Sequence, residues 1–220
     1  MKPVVFKDPE KLYFTSDLHL GHGNIIKFCN RPFVDVNEMN NTIINNWNKV
    51  IKEDDLCFIL GDFSMWGRQS WENLLDRMLG RKILIIGNHD KEKTIPVERF
   101  EYVTDGFLNI SIDDKDTKFK EQLITLCHYP MLSWYQSHRG AWQLFGHWHN
   151  KKINAPTENN ENIMEANLEV ADYVKEEFVY MSKTRPTQMD IGVDGNDFRP
   201  ISYYDIKKII NERISKGVYR

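Results

Sequence analysis

The chain predicts a layered α/β fold with mixed β-sheets, and three features of its pattern carry that expectation. Five short apolar runs recur, at Leu12 to Ser16, Leu56 to Leu60, Lys82 to Ile86, Gln122 to Cys127 and Ala141 to Phe145. They have the length of buried strands, and the segments between them place apolar residues at helical intervals. Between Phe107 and Cys127, β-rich sequence flanks the polar turn Asp113-Asp114-Lys115-Asp116, which marks an antiparallel hairpin and makes the sheets mixed.

Along the chain, Met39, Ile43, Trp47 and Val50 share one helical face, as do Trp71, Leu74, Leu75 and Met78, where Ser70 is the expected N-cap. The stretch 150–187 is polar at first and then carries Ile163, Val170, Val174, Phe178 and Met181 at roughly helical spacing. It reads as a helical insertion, with two roles open: a surface helix packed on the body, or a lid or oligomer contact. Strand character resumes over Gln188 to Val193. Ser202 then stands three residues before Asp205 as a capping-box variant, ahead of a terminal helix with Ile206, Ile209, Ile210 and Ile214 on one face. With no internal repeat, low-complexity linker or composition break, the expectation is a single domain over 1–220.

Composition narrows the classes. A chain of 220 residues can bury roughly 70% of the surface its unfolded form exposes. Hydrophobic residues make up 41% and charged residues 28%, with no run of about 18 apolar residues to span a bilayer. The opening Met-Lys-Pro-Val-Val-Phe-Lys-Asp-Pro-Glu lacks the apolar stretch of a signal peptide, so a cytoplasmic location is expected. Cys29, Cys57 and Cys127 cannot all pair, which reads as reduced core thiols in a reducing compartment. A net charge of −3 gives no basic footprint for gripping extended nucleic acid and disfavours it as a partner.

Each apolar run ends in a fragment that carries chemistry: Asp17-Leu18-His19, Gly61-Asp62, Gly87-Asn88-His89-Asp90, His128, and Gly146-His147-Trp148-His149. Alone, each has a bland reading, since Asp, His and Gly-Asn are common in loops. In series they change meaning, because strand-end loops of a layered α/β fold gather distant residues at one edge. Carboxylates, imidazoles and one amide without cysteine suit borderline divalent ions, with manganese first and iron, nickel or zinc as alternatives. Residues two apart, such as Asp17 and His19 or His147 and His149, can direct both side chains to one cluster. A centre of this kind holds two ions about 3.5 to 4 Å apart and clamps both oxygens of a phosphoryl displacement.

The set resembles the calcineurin-like metallophosphoesterase superfamily, whose motifs D-x-H, G-D, G-N-H-[DE], H and G-H-x-H all occur here in order. The opening Ser16-Asp-Leu-His-Leu-Gly-His22-Gly-Asn24 with Asn30-Arg31-Pro32-Phe33 is similar to a small branch from bacteria and bacteriophages. The resemblance implies a four-layered α/β/β/α sandwich. It also implies one ion on Asp17, His19, Asp62 and His149 and a second on Asp62, Asn88, His128 and His147, with Asp62 bridging. His89 is left to protonate the leaving oxygen, with Asp90 orienting it; the alternative for His89 is a supporting ring without proton transfer.

The expected activity is hydrolysis of phosphodiesters, nucleotide-derived ones first, by in-line attack of a metal-bridging hydroxide. A small phosphorylated substrate fits the modest net charge. A phosphomonoesterase is the enzymatic alternative, and a non-catalytic scaffold the rival of another class. Phe63-Ser64 after Asp62, and Asp90 where protein phosphatases carry glutamate, disfavour a protein phosphatase. His22, Asn24 and Arg31 are candidates to hold a phosphate oxygen; otherwise Arg31 pairs with a carboxylate and Asn24 caps the next helix. Trp66, Trp134, Trp142 and Trp148 lie close in sequence to the fragments, as a stacking wall for a base or as core. His138 and Arg139 read as solvated loop.

Overall fold

A computed structural model describes residues 2–149 and 185–216. Ten strands form two five-stranded sheets. In the first, β10 (Ile201–Ser202), β2 (Leu12–Thr15), β3 (Leu56–Ile59), β4 (Arg81–Ile85) and β5 (Tyr102–Thr104) lie in that order, parallel except for β10. The second runs β1 (Val4–Phe6), β6 (Phe107–Asp113), β7 (Glu121–Cys127), β8 (Trp142–Phe145) and β9 (Gln188–Asp190). Its β6 and β7 are the antiparallel hairpin, in register from Phe107 opposite Cys127 to Asp113 opposite Glu121. The remaining pairs are parallel. The α/β architecture of two mixed sheets flanked by helices is therefore the expected one.

The sheets face each other across one apolar layer. Phe14, Phe58 and Ile85 from the first meet Ile110, Leu126 and Leu144 from the second. The stack of Phe14 on Phe58, with centroids 5.1 Å apart, and the edge of Phe6 at 5.2 Å fix the centre of that layer. Alternation along β3 sends Cys57 and Ile59 to the opposite face, where helix α2 (Val36–Val50) packs Met39, Ile43 and Trp47, and α3 (Arg68–Leu75) packs Trp71, Leu74 and Leu75. The Asp35 carboxylate caps α2 by accepting the N–H groups of Asn37 and Glu38.

The terminal helix α4 (Tyr203–Ser215) closes one end of the inter-sheet layer with Tyr203, Ile206 and Ile210. Ser202 caps it, accepting the Asp205 N–H at 3.1 Å while its hydroxyl donates to the Asp205 carboxylate. On the outer face of the second sheet, buried Gln143 is tied to the chain that follows β7, donating to the Tyr129 carbonyl and accepting from the Met131 N–H. Among the described residues, no helix is long and apolar enough to cross a membrane.

Two local expectations change. The N-cap of helix α3 is Gly67 rather than Ser70, because Arg68 already reaches Glu72 one turn on and the Ser70 N–H closes onto the Gly67 carbonyl. Strand β9 stops at Asp190 instead of reaching Val193, because the Val193 N–H leaves the second sheet for the Ser16 carbonyl beside the first. The helical insertion expected at 150–187 lies outside the described residues up to 184.

Truncating the fully buried Phe58 removes the ring that both phenylalanine neighbours contact. Phe58→Ala is expected to lower unfolding stability by about 3 to 5 kcal/mol, read from urea denaturation, against about 1 kcal/mol for loss of the α2 cap in Asp35→Ala.

Candidate metal centre

The candidate fragments follow the C-terminal ends of β2, β3, β4, β7 and β8, and the parallel order within each sheet brings those ends to one edge of the sandwich. The loops are sewn together by backbone hydrogen bonds. The Asp17 N–H donates to the Gly61 carbonyl and the His19 N–H to that of Asp62, while the Gly146 N–H donates to the His128 carbonyl. Ten non-glycine residues among those described have positive φ, and Asp17, His19, Asp62, His147 and His149 are five of them. Such backbone is disfavoured for L-residues and persists where the surroundings impose it, so its concentration here marks a functional site. At Gly146 a Cβ would fall 1.9 Å from the Ser16 hydroxyl and 2.4 Å from an Asp17 oxygen, so only glycine lets these strand ends approach.

Six of the chain's seven histidines gather at this edge; His138 does not. Asp17, His19, Asp62 and His128 are each within 1% of full burial. Asp62 Oδ2 lies 3.4 Å from His19 Nε2 on one side and 3.6 Å from His128 Nε2 on the other. Asp17 Oδ1 lies 4.0 Å from His19 Nε2 and 3.8 Å from His149 Nε2. The Asn88 amide oxygen is 2.9 Å from His128 Nε2 and 3.0 Å from His147 Nδ1. Donor atoms from Asp17, His19 and His149, and again from Asp17, Asp62 and His128, come close enough together to hold a cation.

The donor set fits divalent ions on three counts. His19 Nε2 is buried without a hydrogen-bond partner, an expensive state that a bound cation relieves. His128 Nδ1 is tied to the Leu60 carbonyl at 2.7 Å, which puts the ring proton there and aims the Nε2 lone pair at oxygens that also carry lone pairs. Burial depresses the pKa of His19, His128 and His147, keeping the rings neutral and able to coordinate.

The acidic side completes the picture. Burial pushes the Asp17 carboxyl up to about 8, against the pull of His149. Burial opposes charge on His149, but hydrogen bonds to Asp194 and Cys29 and the nearby Asp17 outweigh it and raise the ring to about 10. Both shifts mark an environment that favours added positive charge.

Several expectations are corrected. Asp90 does not orient the His89 ring. Its buried carboxylate accepts the N–H groups of Asp62, Phe63 and Gly87 at 2.8 to 2.9 Å, which clamps the second and third loops together and makes it a positioning residue. Arg31 is not available to a phosphate. It is 4% exposed, and its five N–H groups are engaged by Asp194, the carbonyls of Asp17 and Leu18, and the Met39 sulfur. The alternative, pairing with a carboxylate, is the one realised.

Asn24 does not cap helix α1 (Gly23–Phe28) but lies exposed in its first turn. His22 is half-buried, with its ring centroid 5.4 Å from that of His19 and 6.2 Å from that of His89. The tryptophans build no wall: Trp134 and Trp142 are buried, Trp66 lies against Gly21, and Trp148 packs edge-on to Phe145. Exposed rings at the site come instead from Phe28, 6.3 Å from His22, and Tyr129, 4.7 Å from His147. Cys57 and Cys127 are buried thiols, whereas Cys29 is half-buried beside His149.

The sequence reading missed Asp194, which accepts a hydrogen bond from His149 Nδ1 at 2.9 Å. No spacing rule points to it, because it follows β9 and joins the site only through the crossover between the sheets.

Fold and site together define a two-sheet α/β domain with clustered metal-ligating side chains at one edge, and comparison with known proteins places it in a family. The model of the calcineurin-like phosphoesterase family matches residues 10–151, and the chain belongs to that family. The uncharacterized protein MJ1445 of Methanocaldococcus jannaschii is 46% identical over 83 residues, 37% of this chain and 47% of that protein. The gene 66 protein of Mycobacterium phage L5 is 42% identical over 82 residues, 36% of this chain and 39% of that protein. The chain thus spans under half the length of these curated relatives. A protein of unknown function from Aquifex aeolicus, AQ665, shares the fold with a TM-score of 0.60 and 25% identity, over 90% of this chain and 98% of its own. The two donor clusters that contain Asp17 have all their residues within the region that the family model matches.

The shifted groups fix the pH response of metal-stripped protein. Protonated Asp90, Asp17 and His149 contribute stability that is lost as pH rises through about 7, about 8 and about 10, while neutral His19, His128 and His147 contribute stability lost as pH falls below their ordinary 6.5. Thermal melts in chelator are therefore expected to peak near about pH 6.5 and decline towards about pH 8.5, with added manganese reducing the alkaline decline. A stripped protein whose Tm keeps rising to about pH 8.5 would contradict the assignment.

Proposed function

We propose that the chain hydrolyses phosphodiesters, nucleotide-derived ones by preference, at a two-ion centre. Asp17, His19, Asp62 and His149 hold one ion, and Asp62, Asn88, His128 and His147 the other. The observation that carries the reading is the position of Asp62 Oδ2 between His19 and His128, as a shared ligand requires. Manganese is the preferred metal, since mixed carboxylate, imidazole and amide donors without thiolate suit it, with iron, nickel or zinc as alternatives. When bound, the two ions supply Lewis acidity and make water nucleophilic near neutral pH.

The chain's own residues do the rest. His89 donates its backbone N–H to Asp62 Oδ1 at 2.9 Å, which fixes the loop, while its exposed ring is free to give a proton to the departing alkoxide. His22 and Asn24 stand beside the first loop as donors for a nonbridging oxygen. Arg31 has no donor left for the second charge of a monoester dianion, which favours the singly charged diester. Phe28 and Tyr129, exposed at the rim near His22 and His147, offer stacking faces for a base. Unpaired cysteines support a cytoplasmic setting.

Manganese-loaded protein is expected to turn over bis-p-nitrophenyl phosphate at least about tenfold more efficiently than the monoester, a gap of about 1.4 kcal/mol in transition-state binding. The opposite ranking makes it a phosphomonoesterase. His89→Ala should keep both ions and lose about 10²- to 10⁴-fold in kcat on an unactivated dinucleotide, with a smaller loss for a p-nitrophenolate leaving group. Equal losses on both substrates would remove His89 from proton transfer. Tyr129→Ala is expected to raise KM for dinucleotides about 5- to 100-fold, read from initial rates.

A further inference from the structure

Resting on that reading of the metal centre, we infer that Asp194 is a positioning residue that sets two ligands of one ion at once: His149 directly, and Asp17 through Arg31. Its carboxylate forms a bidentate pair with Arg31, Oδ1 to Nε and Oδ2 to a terminal nitrogen, each at 2.8 Å. The same Oδ2 accepts from His149 Nδ1 at 2.9 Å. That bond keeps a proton on Nδ1 and directs Nε2 towards Asp17 Oδ1, 3.8 Å away, as the atom a bound ion would take.

Arg31 carries the constraint to the other ligand. It donates to the Asp17 carbonyl at 2.7 Å and the Leu18 carbonyl at 3.0 Å, the backbone on which Asp17 holds its left-handed φ of 57°. A plain staple between the N-terminal loop and the turn Val193–Gly195 would need only the ion pair. Here the pair is buried, every guanidinium donor is used, and the carboxylate also takes on a ligand ring. Such a pair is costly to desolvate and is better explained by the geometry it enforces than by net stability. Among the described residues the other ion's imidazoles lack such a carboxylate brace: His128 Nδ1 is held by the Leu60 carbonyl, and His147 Nδ1 meets the Asn88 amide, itself a candidate ligand. Asp194 also lies beyond residues 10–151, so the family region supplies the ligands and the following segment orients one of them.

The test is metal titration of the full chain by calorimetry, with the EPR signal of bound manganese as a second readout. Wild type should bind two ions, and failure to do so would overturn the reading of the centre itself. Asp194→Asn should weaken one ion about 10- to 100-fold and alter its EPR signal while the other stays within about twofold. In a His149→Ala background, adding Asp194→Asn should cost less than it does in wild type, because only the route through Arg31 to Asp17 remains. Unchanged affinities and signal in Asp194→Asn, or a full additional loss in the double variant, would overturn the inference. Should Asp194→Asn fail to fold, ¹⁵N NMR of the zinc-loaded wild type decides: His149 protonated on Nδ1 and coordinated through Nε2 supports the role, and the opposite tautomer refutes it.

Discussion

Two carboxylates, Asp17 and Asp62, and two imidazoles, His19 and His128, occupy a volume from which water is almost wholly excluded. Buried anions must be matched by positive charge, and the guanidinium nearest them does not supply it, because Arg31 turns its donors to backbone carbonyls and to Asp194. Burial keeps His19 and His128 neutral, and the imidazole whose pKa is raised, His149, stands against Asp17. Asp62 is left between two neutral rings, and the donor atoms gathered there suit a divalent ion. Everything else at this edge of the sandwich serves to bring those four groups together.

The fold meets that demand by giving both sheets parallel strands that end at the same edge. The loops do not hang freely: they pair with one another through Asp17 to Gly61, His19 to Asp62 and Gly146 to His128. Left-handed backbone at five candidate ligands then breaks the alternation by which extended backbone would send successive side chains to opposite faces of the sheet. Asp90 acts on the same principle. Its two oxygens absorb three N–H groups from two loops, a strong constraint because charge-assisted bonds to a buried carboxylate resist sliding.

Most of this was legible in the sequence, because the strand runs and their terminal fragments are local patterns. Leu12 to Ser16 and Leu56 to Leu60 differ from the observed strands by one residue at one end, and Lys82 to Ile86 by one residue at each end. The hairpin at Phe107 to Cys127 and the cap at Ser202 follow from residues adjacent in the chain. What escaped depends on contacts between distant segments. Arg31 looked like a phosphate contact from its place near the first fragment, and only its partner 163 positions away shows it facing inward. Asp90 follows His89 directly and so invited pairing with it, whereas the turn sends its carboxylate to the neighbouring loop. The tryptophans lay near ligands in sequence, but strand alternation sent Trp142 to the inter-sheet core.

A division of labour follows from burial. The groups at the centre of the cluster are enclosed and over-determined, while His89, Phe28 and Tyr129 are exposed around it. A metal site tolerates little displacement of its ligands, so enclosure suits it; a substrate must enter, lose its leaving group and depart, so the groups that meet it need access. The candidate ligands sit within the residues the family model matches, and Tyr129 directly follows one of them, His128. The chemistry of such a centre is therefore set by the enclosed ligands, whereas the choice among esters falls to the exposed rim, whose side chains can change without disturbing the ion geometry.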